Sequence, residues 1–408
     1  MTNKEKRHNK EETTMRSRLL KKLLSTALAV TTCAGLVTGM TGCESGSSDE
    51  IKIGLLFSKT GATAITEECM INAAQMAIDE VNDAGGINGK KITYVLEDYA
   101  TDAATAAEKI KKLIMQDEVI ATVGCYTSAS RIACEPVVED NDSLLIYPTF
   151  YEGEEPSKNV VYTGAVPNQQ GDIFVPWLAE NVGKKFFLLG TDTVYAQLIN
   201  SQCRASLEEC GGEVVGEEYV PNAHNDFSSI ITKIKEADPD VLFVNLNGDS
   251  GVAFFKQYKQ YGLDASTMPV ASYLLDESTV AALGAETAAG HYTSINYVST
   301  LDTEANNEFL KKYHEKFGDD AEMTVVGEET YVSVKLLAEA LKKTDDYSSA
   351  SIIKAMDGIT LDVPEGQVKF DPETNHLYLR GRIAKVSDEG KFEVVYESPE
   401  LIKPDPTK

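Results

Sequence analysis

From residue 51 onward the sequence repeats one rhythm, in which a short aliphatic run, a longer stretch with helical spacing and a second aliphatic run follow one another. Strands are expected over 51–56, 91–96, 119–123 and 144–147, with helices over 65–82, 102–116 and 129–139 between them. Gly85 and Gly86 stop the first helix, because glycine takes the left-handed conformation of a helix end without a Cβ penalty. Strands joined through helices run parallel, and a parallel sheet needs helices on both faces. The rhythm then restarts. Strands over 186–189, 213–220, 241–244 and 269–272 alternate with helices over 196–209, 227–236 and 251–261. Beyond Phe370, short strands over 378–386 and 392–396 read as an antiparallel edge. The expected class is therefore α/β, with two doubly wound parallel-sheet lobes and an interlobe cleft. We expect residues 51–165 and 294–345 in lobe 1, 166–293 in lobe 2, and 346–408 completing lobe 2 and the tail.

Charge divides the chain unevenly. The 408 residues carry a net charge of −26, yet residues 1–42 hold eight Lys or Arg against three acids. That acidity excludes sequence-independent nucleic-acid binding, which needs a basic footprint. A basic cluster from Arg16 to Lys22 precedes an uncharged stretch from Leu23 to Val37 and then Gly39-Met40-Thr41-Gly42-Cys43. This is the order of a secretory signal, and its apolar stretch is shorter than the ~20 residues a membrane-spanning helix needs. A small residue before Cys43 resembles a bacterial lipoprotein processing site, so residues 1–42 are expected to leave and Cys43 to carry lipid. Met15 is a second candidate start. Residues 43–50 read as a flexible tether holding a folded receptor at the outer face of a membrane.

Five cysteines follow Cys43, namely Cys69, Cys125, Cys134, Cys203 and Cys210. An odd number leaves at least one unpaired, and most are expected to be small buried hydrophobes. No metal-ligand spacing occurs, and no metal or cofactor is expected.

Ligands of open α/β sheets sit beyond the carboxyl ends of the strands, and between two such lobes that place is the cleft. Ser58 and Thr60 follow the first strand, and Tyr126, Thr127 and Ser128 follow the third, where Thr127 and Ser128 suit a helix N-cap. Tyr147 and Thr149 end the fourth. In the second half Asp192 and Tyr195, Asn247 and Asp249, and Tyr273 hold the matching positions. The set is rich in phenols, hydroxyls and carboxylates and contains no His.

At these loops the sequence resembles a known family. Residues 51–61, the Ala84-Gly85-Gly86-Ile87-Asn88-Gly89 turn, 124–131, 147–153 and 162–170 look like type I periplasmic binding proteins of the branched-chain amino-acid and amide class. Gly124-Cys125-Tyr126-Thr127-Ser128, residues 151–155, Asn247-Gly248-Asp249-Ser250 and the closing 398–406 are similar to urea-transport binding proteins. The short-chain amide sensor of the family is somewhat less similar. The resemblance implies two lobes joined by three crossings, closing on a ligand that is delivered to ABC permease subunits. By position it assigns Tyr126, Ser128, Tyr147 and Thr149 to the pocket and Tyr195 to the second lobe. Thr193 stands where that branch commonly carries an aromatic, and Phe150 where a small residue is more usual.

Urea and short-chain amides are planar and neutral, with a carbonyl acceptor and outward N–H donors. We expect the 126–128 loop to give donors to the oxygen, through backbone N–H and hydroxyl. Asp249, Asp192, Glu152 or tyrosine hydroxyls are the expected acceptors, and Tyr126 or Tyr147 the stacking surface. A branched-chain amino acid is the alternative ligand, needing a carboxylate for its ammonium and an apolar cavity. An amidase with Cys125 as nucleophile would need a base or cation beside the thiol, and no His pairs with it in the sequence. A cytoplasmic amide-sensing regulator would not need the signal or Cys43.

Overall fold

The computed structural model describes residues 50–407 except position 155; the expected signal segment, Cys33 and the lipidation site Cys43 lie outside the described residues. The first sheet is built from β1 (Glu50–Phe57), β2 (Lys91–Asp98), β3 (Thr122–Gly124), β4 (Leu145–Tyr147) and β5 (Val160–Tyr162), all parallel. Helices α1 (Ala64–Asp83), α2 (Ala103–Met115) and α3 (Ser128–Asp140) connect the first four strands. The second sheet follows α4 (Pro167–Asn181). Its parallel strands are β6 (Lys185–Thr191), β7 (Glu213–Val220), β8 (Val241–Asn245), β9 (Val270–Ala271) and β10 (Tyr292–Ile295). Between them run α5 (Val194–Glu209), α6 (Ser228–Ala237), α7 (Gly248–Gln260), α8 (Glu277–Leu283) and α9 (Ala285–Ala288). The central strands are near-continuous buried runs, as parallel strands covered on both faces must be: β8 is buried at every position, whereas the edge strands β2 and β7 are mostly half-buried.

The chain then returns to the first sheet through α10 (Glu304–Phe317), α11 (Val325–Leu341) and α12 (Ser349–Met356). It adds β11 (Thr360–Val363), β12 (Gly366–Asp371) and β13 (His376–Tyr378) there, giving the order β11-β12-β13-β5-β4-β3-β1-β2. Last, β14 (Arg382–Val386) and β15 (Phe392–Glu397) close the second sheet as an antiparallel edge, in the order β15-β14-β10-β9-β8-β6-β7. The chain thus passes between sheets at 163–166, 296–303 and 379–381.

Two expectations about the last quarter need correction. Residues 360–378 pair with the first sheet, so the expected assignment of all of 346–408 to lobe 2 does not hold. The single strand expected over 378–386 is two strands in different sheets. Its apolar alternation continues through the crossing, where Gly381 lies so close to α4 that a Cβ would meet Ile173 Cδ1 at 2.6 Å. The tail is tied to the same crossing, with Ile402 N–H donating to Leu379 C=O at 2.8 Å. Cys69, Cys125, Cys134 and Cys203 are buried, Cys210 is half-buried, and all five are free thiols.

Candidate functional site

The carboxyl ends of both sheets face a cavity of about 290 Å³. That is the small end of the ~300–1,000 Å³ typical of small-molecule sites. The first lobe lines it with Ala62 and Thr63 after β1, Ala100 and Thr101 after β2, Tyr126 to Ala129 after β3, and Tyr147, Thr149 and Phe150 after β4. The second lobe adds Thr193 to Tyr195 after β6, Asn222 after β7, Asn247 after β8 and Leu274 after β9. No Asp, Glu, Lys, Arg or His is in this wall. Across the cavity the Phe150 and Tyr195 rings meet at 6.3 Å.

Gly124 lets the β3 loop reach this position. Its φ is +140°, and a Cβ there would lie 2.2 Å from Leu56 O, so only glycine fits between β1 and the loop. Thr127 then caps α3, its hydroxyl accepting from Ser130 N–H at 3.1 Å. The first turn of a helix has no internal partners for its N–H groups, so the Ser128 and Ala129 amides are presented at the cavity wall.

Behind the wall sit two buried polar clusters. In one, Ser128 Oγ donates to Glu152 Oε2 at 2.6 Å, and Arg131 Nη2 donates to Glu152 Oε1 at 3.0 Å. Arg131 is fully buried, reaches Glu135 at 3.1 Å and lies over the Tyr151 ring at 4.3 Å and the Tyr147 ring at 5.4 Å. In the other, Glu67 accepts from Ser58 N–H at 2.6 Å, Thr63 hydroxyl at 2.5 Å and Tyr99 hydroxyl at 2.9 Å. Tyr126 N–H in turn donates to Tyr99 Oη at 3.2 Å, and Tyr147 hydroxyl donates to Tyr126 C=O at 2.7 Å. Burial raises Glu67 above the usual carboxylate range and pushes the Tyr147 and Tyr195 phenols well above theirs, so the phenols stay protonated.

The structure brings Tyr126, Thr127, Ser128, Tyr147, Thr149, Tyr195 and Asn247 to the cavity wall. Five other expected residues lie off it. Ser58 is buried in the Glu67 cluster, and Thr60 is exposed with its hydroxyl on Asp98 at 2.9 Å. Asp192 is exposed and accepts from Gln197, and Asp249 is exposed on the first turn of α7. Tyr273 packs in the second-lobe core against Phe174 and Phe243. The expected donors also differ: the Tyr126 N–H and the Ser128 hydroxyl both point at protein acceptors. The Tyr147 ring is fully buried, edge-on to Tyr151 and Tyr162, whereas Tyr126 remains half-exposed for stacking.

Ala62, Thr63, Ala100, Thr101, Asn222 and Leu274 also line the cavity without having been expected from the sequence. They follow β1, β2, β7 and β9, so the strand-end rule reaches them once those loops are read in full. Ala100 and Thr101 take positive φ of 51° and 58°, which short propensity patterns do not reveal. Burial and the neighbouring Cys134 push the Cys125 thiol well above its ordinary range, so it is held as a thiol rather than a thiolate nucleophile. Among the described residues, no three His, Cys, Asp or Glu side chains gather as metal ligands.

A family profile described as periplasmic binding protein domain matches residues 51–408. The leucine-, isoleucine-, valine-, threonine- and alanine-binding protein of Pseudomonas aeruginosa is 26% identical over 330 residues, covering 80% of this chain and 87% of that protein. Among solved structures, a solute binding protein of an ABC transporter from Rhodopseudomonas palustris BisB5, in complex with 3,4-dihydroxybenzoic acid, superposes with a TM-score of 0.80. It is 27% identical, and the match covers 88% of this chain and all of that one. The branched-chain amino acid transporter substrate binding protein LivJ from Streptococcus pneumoniae, in complex with isoleucine, gives a TM-score of 0.74 at 26% identity over 87% of this chain and all of LivJ.

Proposed function

Because the chain belongs to the periplasmic binding protein family and carries its type I fold, we propose that its interlobe cavity binds urea or a short-chain amide for delivery to ABC permease subunits. One observation carries the choice of ligand: the cavity wall contains no charged side chain. A buried charge without a partner costs several kcal/mol, so an amino-acid zwitterion needs a carboxylate for its ammonium. The candidates for that role, Asp192 and Asp249, are exposed and off the wall, and Glu152 is turned to Arg131 and Ser128. An aromatic acid meets a related obstacle. Its carboxylate finds no cation in the wall and cannot take the Ser128 hydroxyl as a donor, because that hydroxyl already points at Glu152, so only the Ser128 and Ala129 amides remain for it there.

A planar amide suits the wall that is present. Its oxygen has the Ser128 and Ala129 amides or the Tyr195 hydroxyl to accept from, its N–H groups have hydroxyl oxygens and the Asn222 and Asn247 side chains, and its face has Tyr126. Urea has four heavy atoms. At a ceiling of about −1.5 kcal/mol per atom its affinity is limited to about −6 kcal/mol, or tens of micromolar. The cavity exceeds urea in size, so closure of the lobes or a longer amide fills the remainder. In this reading Cys43 anchors the receptor by lipid at the outer face of the membrane, after removal of residues 1–42.

A thermal-shift panel of urea, acetamide, leucine and 4-hydroxybenzoate tests the ligand class. Urea or acetamide is expected to raise the melting temperature in the millimolar range. Stabilisation by leucine, with no response to either amide, replaces this reading with a branched-chain amino-acid receptor. The anchor is tested separately, since Cys43→Ala is expected to move the protein from the membrane to the soluble fraction.

A further inference from the structure

Resting on the amide reading above, we infer that Glu152 and Arg131, which do not line the cavity, set its preference for N–H-bearing ligands by fixing the direction of the Ser128 hydroxyl. A guanidinium does not lose its proton in a protein, and Arg131 is fully buried with its Nη2 3.0 Å from Glu152 Oε1. Glu152 accepts a hydrogen bond on each carboxylate oxygen, one of them from Arg131. Its other oxygen lies 2.6 Å from Ser128 Oγ, so the one Ser128 proton must point at Glu152. What remains of that hydroxyl toward the cavity is lone pairs.

The same arrangement recurs around the first-lobe wall. The Tyr147 hydroxyl donates to Tyr126 C=O at 2.7 Å, and the Thr63 hydroxyl donates to Glu67 at 2.5 Å. Both residues line the cavity, so the hydroxyls on this side turn lone pairs toward it beside the Ser128 and Ala129 amide donors, the Thr63 oxygen also lying 2.8 Å from Thr101 Oγ1. An amide NH₂ satisfies these lone pairs. A carboxylate, which only accepts, sets lone pairs against lone pairs at each of these hydroxyls. Glu152 and Arg131 are thus positioning residues that act through Ser128.

Acetamide and acetate, near-isosteres that differ in NH₂ against O⁻, read this directly by calorimetric titration of the purified protein. Glu152→Gln reverses the relay, because the new side-chain amide can accept from Arg131 and donate to Ser128, freeing the serine proton for the cavity. We expect wild type to prefer acetamide, and the acetamide-to-acetate affinity ratio to fall at least tenfold in Glu152→Gln. Glu135→Gln removes the other carboxylate beside Arg131 without touching Ser128 and is expected to keep the ratio within twofold. An unchanged ratio in Glu152→Gln, or equal falls in both variants, overturns this inference and leaves the amide reading standing. Wild type that prefers acetate, or binds neither probe, overturns the reading and this inference with it. Where Glu152→Gln does not fold, Ser128→Ala decides. Acetamide must weaken at least tenfold with acetate little changed, and equal weakening of the two overturns the inference.

Discussion

Tyr195 lines the cavity from the second lobe, and its buried hydroxyl has no hydrogen-bond partner among the described residues. A ligand seated in the cavity can pair with this hydroxyl, and one that leaves it unpaired loses that hydrogen bond. Tyr195→Phe is therefore expected to weaken amide binding about tenfold while leaving the melting temperature unchanged or slightly higher. Calorimetry and a thermal melt on the same sample check both halves. Arg131 is the opposite case. Its guanidinium is sandwiched between tyrosine rings and two carboxylates, with side-chain exposures of 0% for Arg131 and 2% for Glu152. Arg131→Met leaves Glu152 buried without its counter-charge, and breaking such a pair costs about 3–5 kcal/mol. Denaturant unfolding should show a loss of that size, and a loss under 1 kcal/mol would mean that the pair adds little to the fold.

Among the elements, the strand ends decide what the sequence could reveal. The runs at β1, β6 and β8 were legible because parallel strands buried on both faces read as unbroken apolar stretches. The cavity loops after β1, β3, β4, β6 and β8 then followed from the position of ligands in such sheets. β5 (Val160 to Tyr162) was not legible, because no helix separates it from β4 to mark a new strand–helix–strand unit. The direction of the Ser128 hydroxyl was not legible either. It depends on Glu152, 24 residues away, and on Arg131 one helical turn further along α3, which meet only when β4 pairs beside β3. The β3 loop itself rests on Gly124. Gly124→Ala forces a side chain onto Leu56 O at a φ that L residues rarely adopt, and should destabilise by about 1–3 kcal/mol. Amide affinity should fall with it, because the displaced backbone carries Tyr126 and Ser128. An unchanged melting temperature in that variant would contradict the tight packing of the loop.

At the scale of the whole molecule, the crossings between the lobes hold a buried carboxylate cluster. Glu328 on α11 accepts from Glu365 N–H at 3.2 Å, and Glu365 accepts from Asn296 Nδ2 at 3.1 Å, just past β10. Arg382, at the start of β14, donates from Nη2 to Glu365 C=O at 2.9 Å and from Nε to Glu397 at 2.7 Å. Burial pushes Glu365 up to about 7, against the opposing pull of Arg382. Burial and the neighbouring carboxylates hold Glu328 and Glu329 well above the ordinary value. The folded state therefore binds protons that the unfolded chain has released above its pKa near 4.5. Stability from this cluster is present below that value and is lost as pH rises through about 7. Two buried histidines act in the opposite sense. His291 is lowered to about 3 and His376 to about 4, chiefly by burial, so their contribution is full above 6.5 and lost as pH falls. The cluster is isolated by Glu329→Gln, which removes a titration and keeps the shape. Its melting temperature should exceed that of wild type at pH 8 and approach it at pH 5, and a difference independent of pH would contradict the assignment.

The central claim is that an uncharged wall selects a flat, uncharged ligand. Calorimetric titration of the purified protein with acetamide, urea and leucine side by side measures that most directly. Saturable binding of at least one of the two amides is expected, with no heat from leucine at the same concentration. Saturable binding of leucine, with neither acetamide nor urea bound, would contradict that claim.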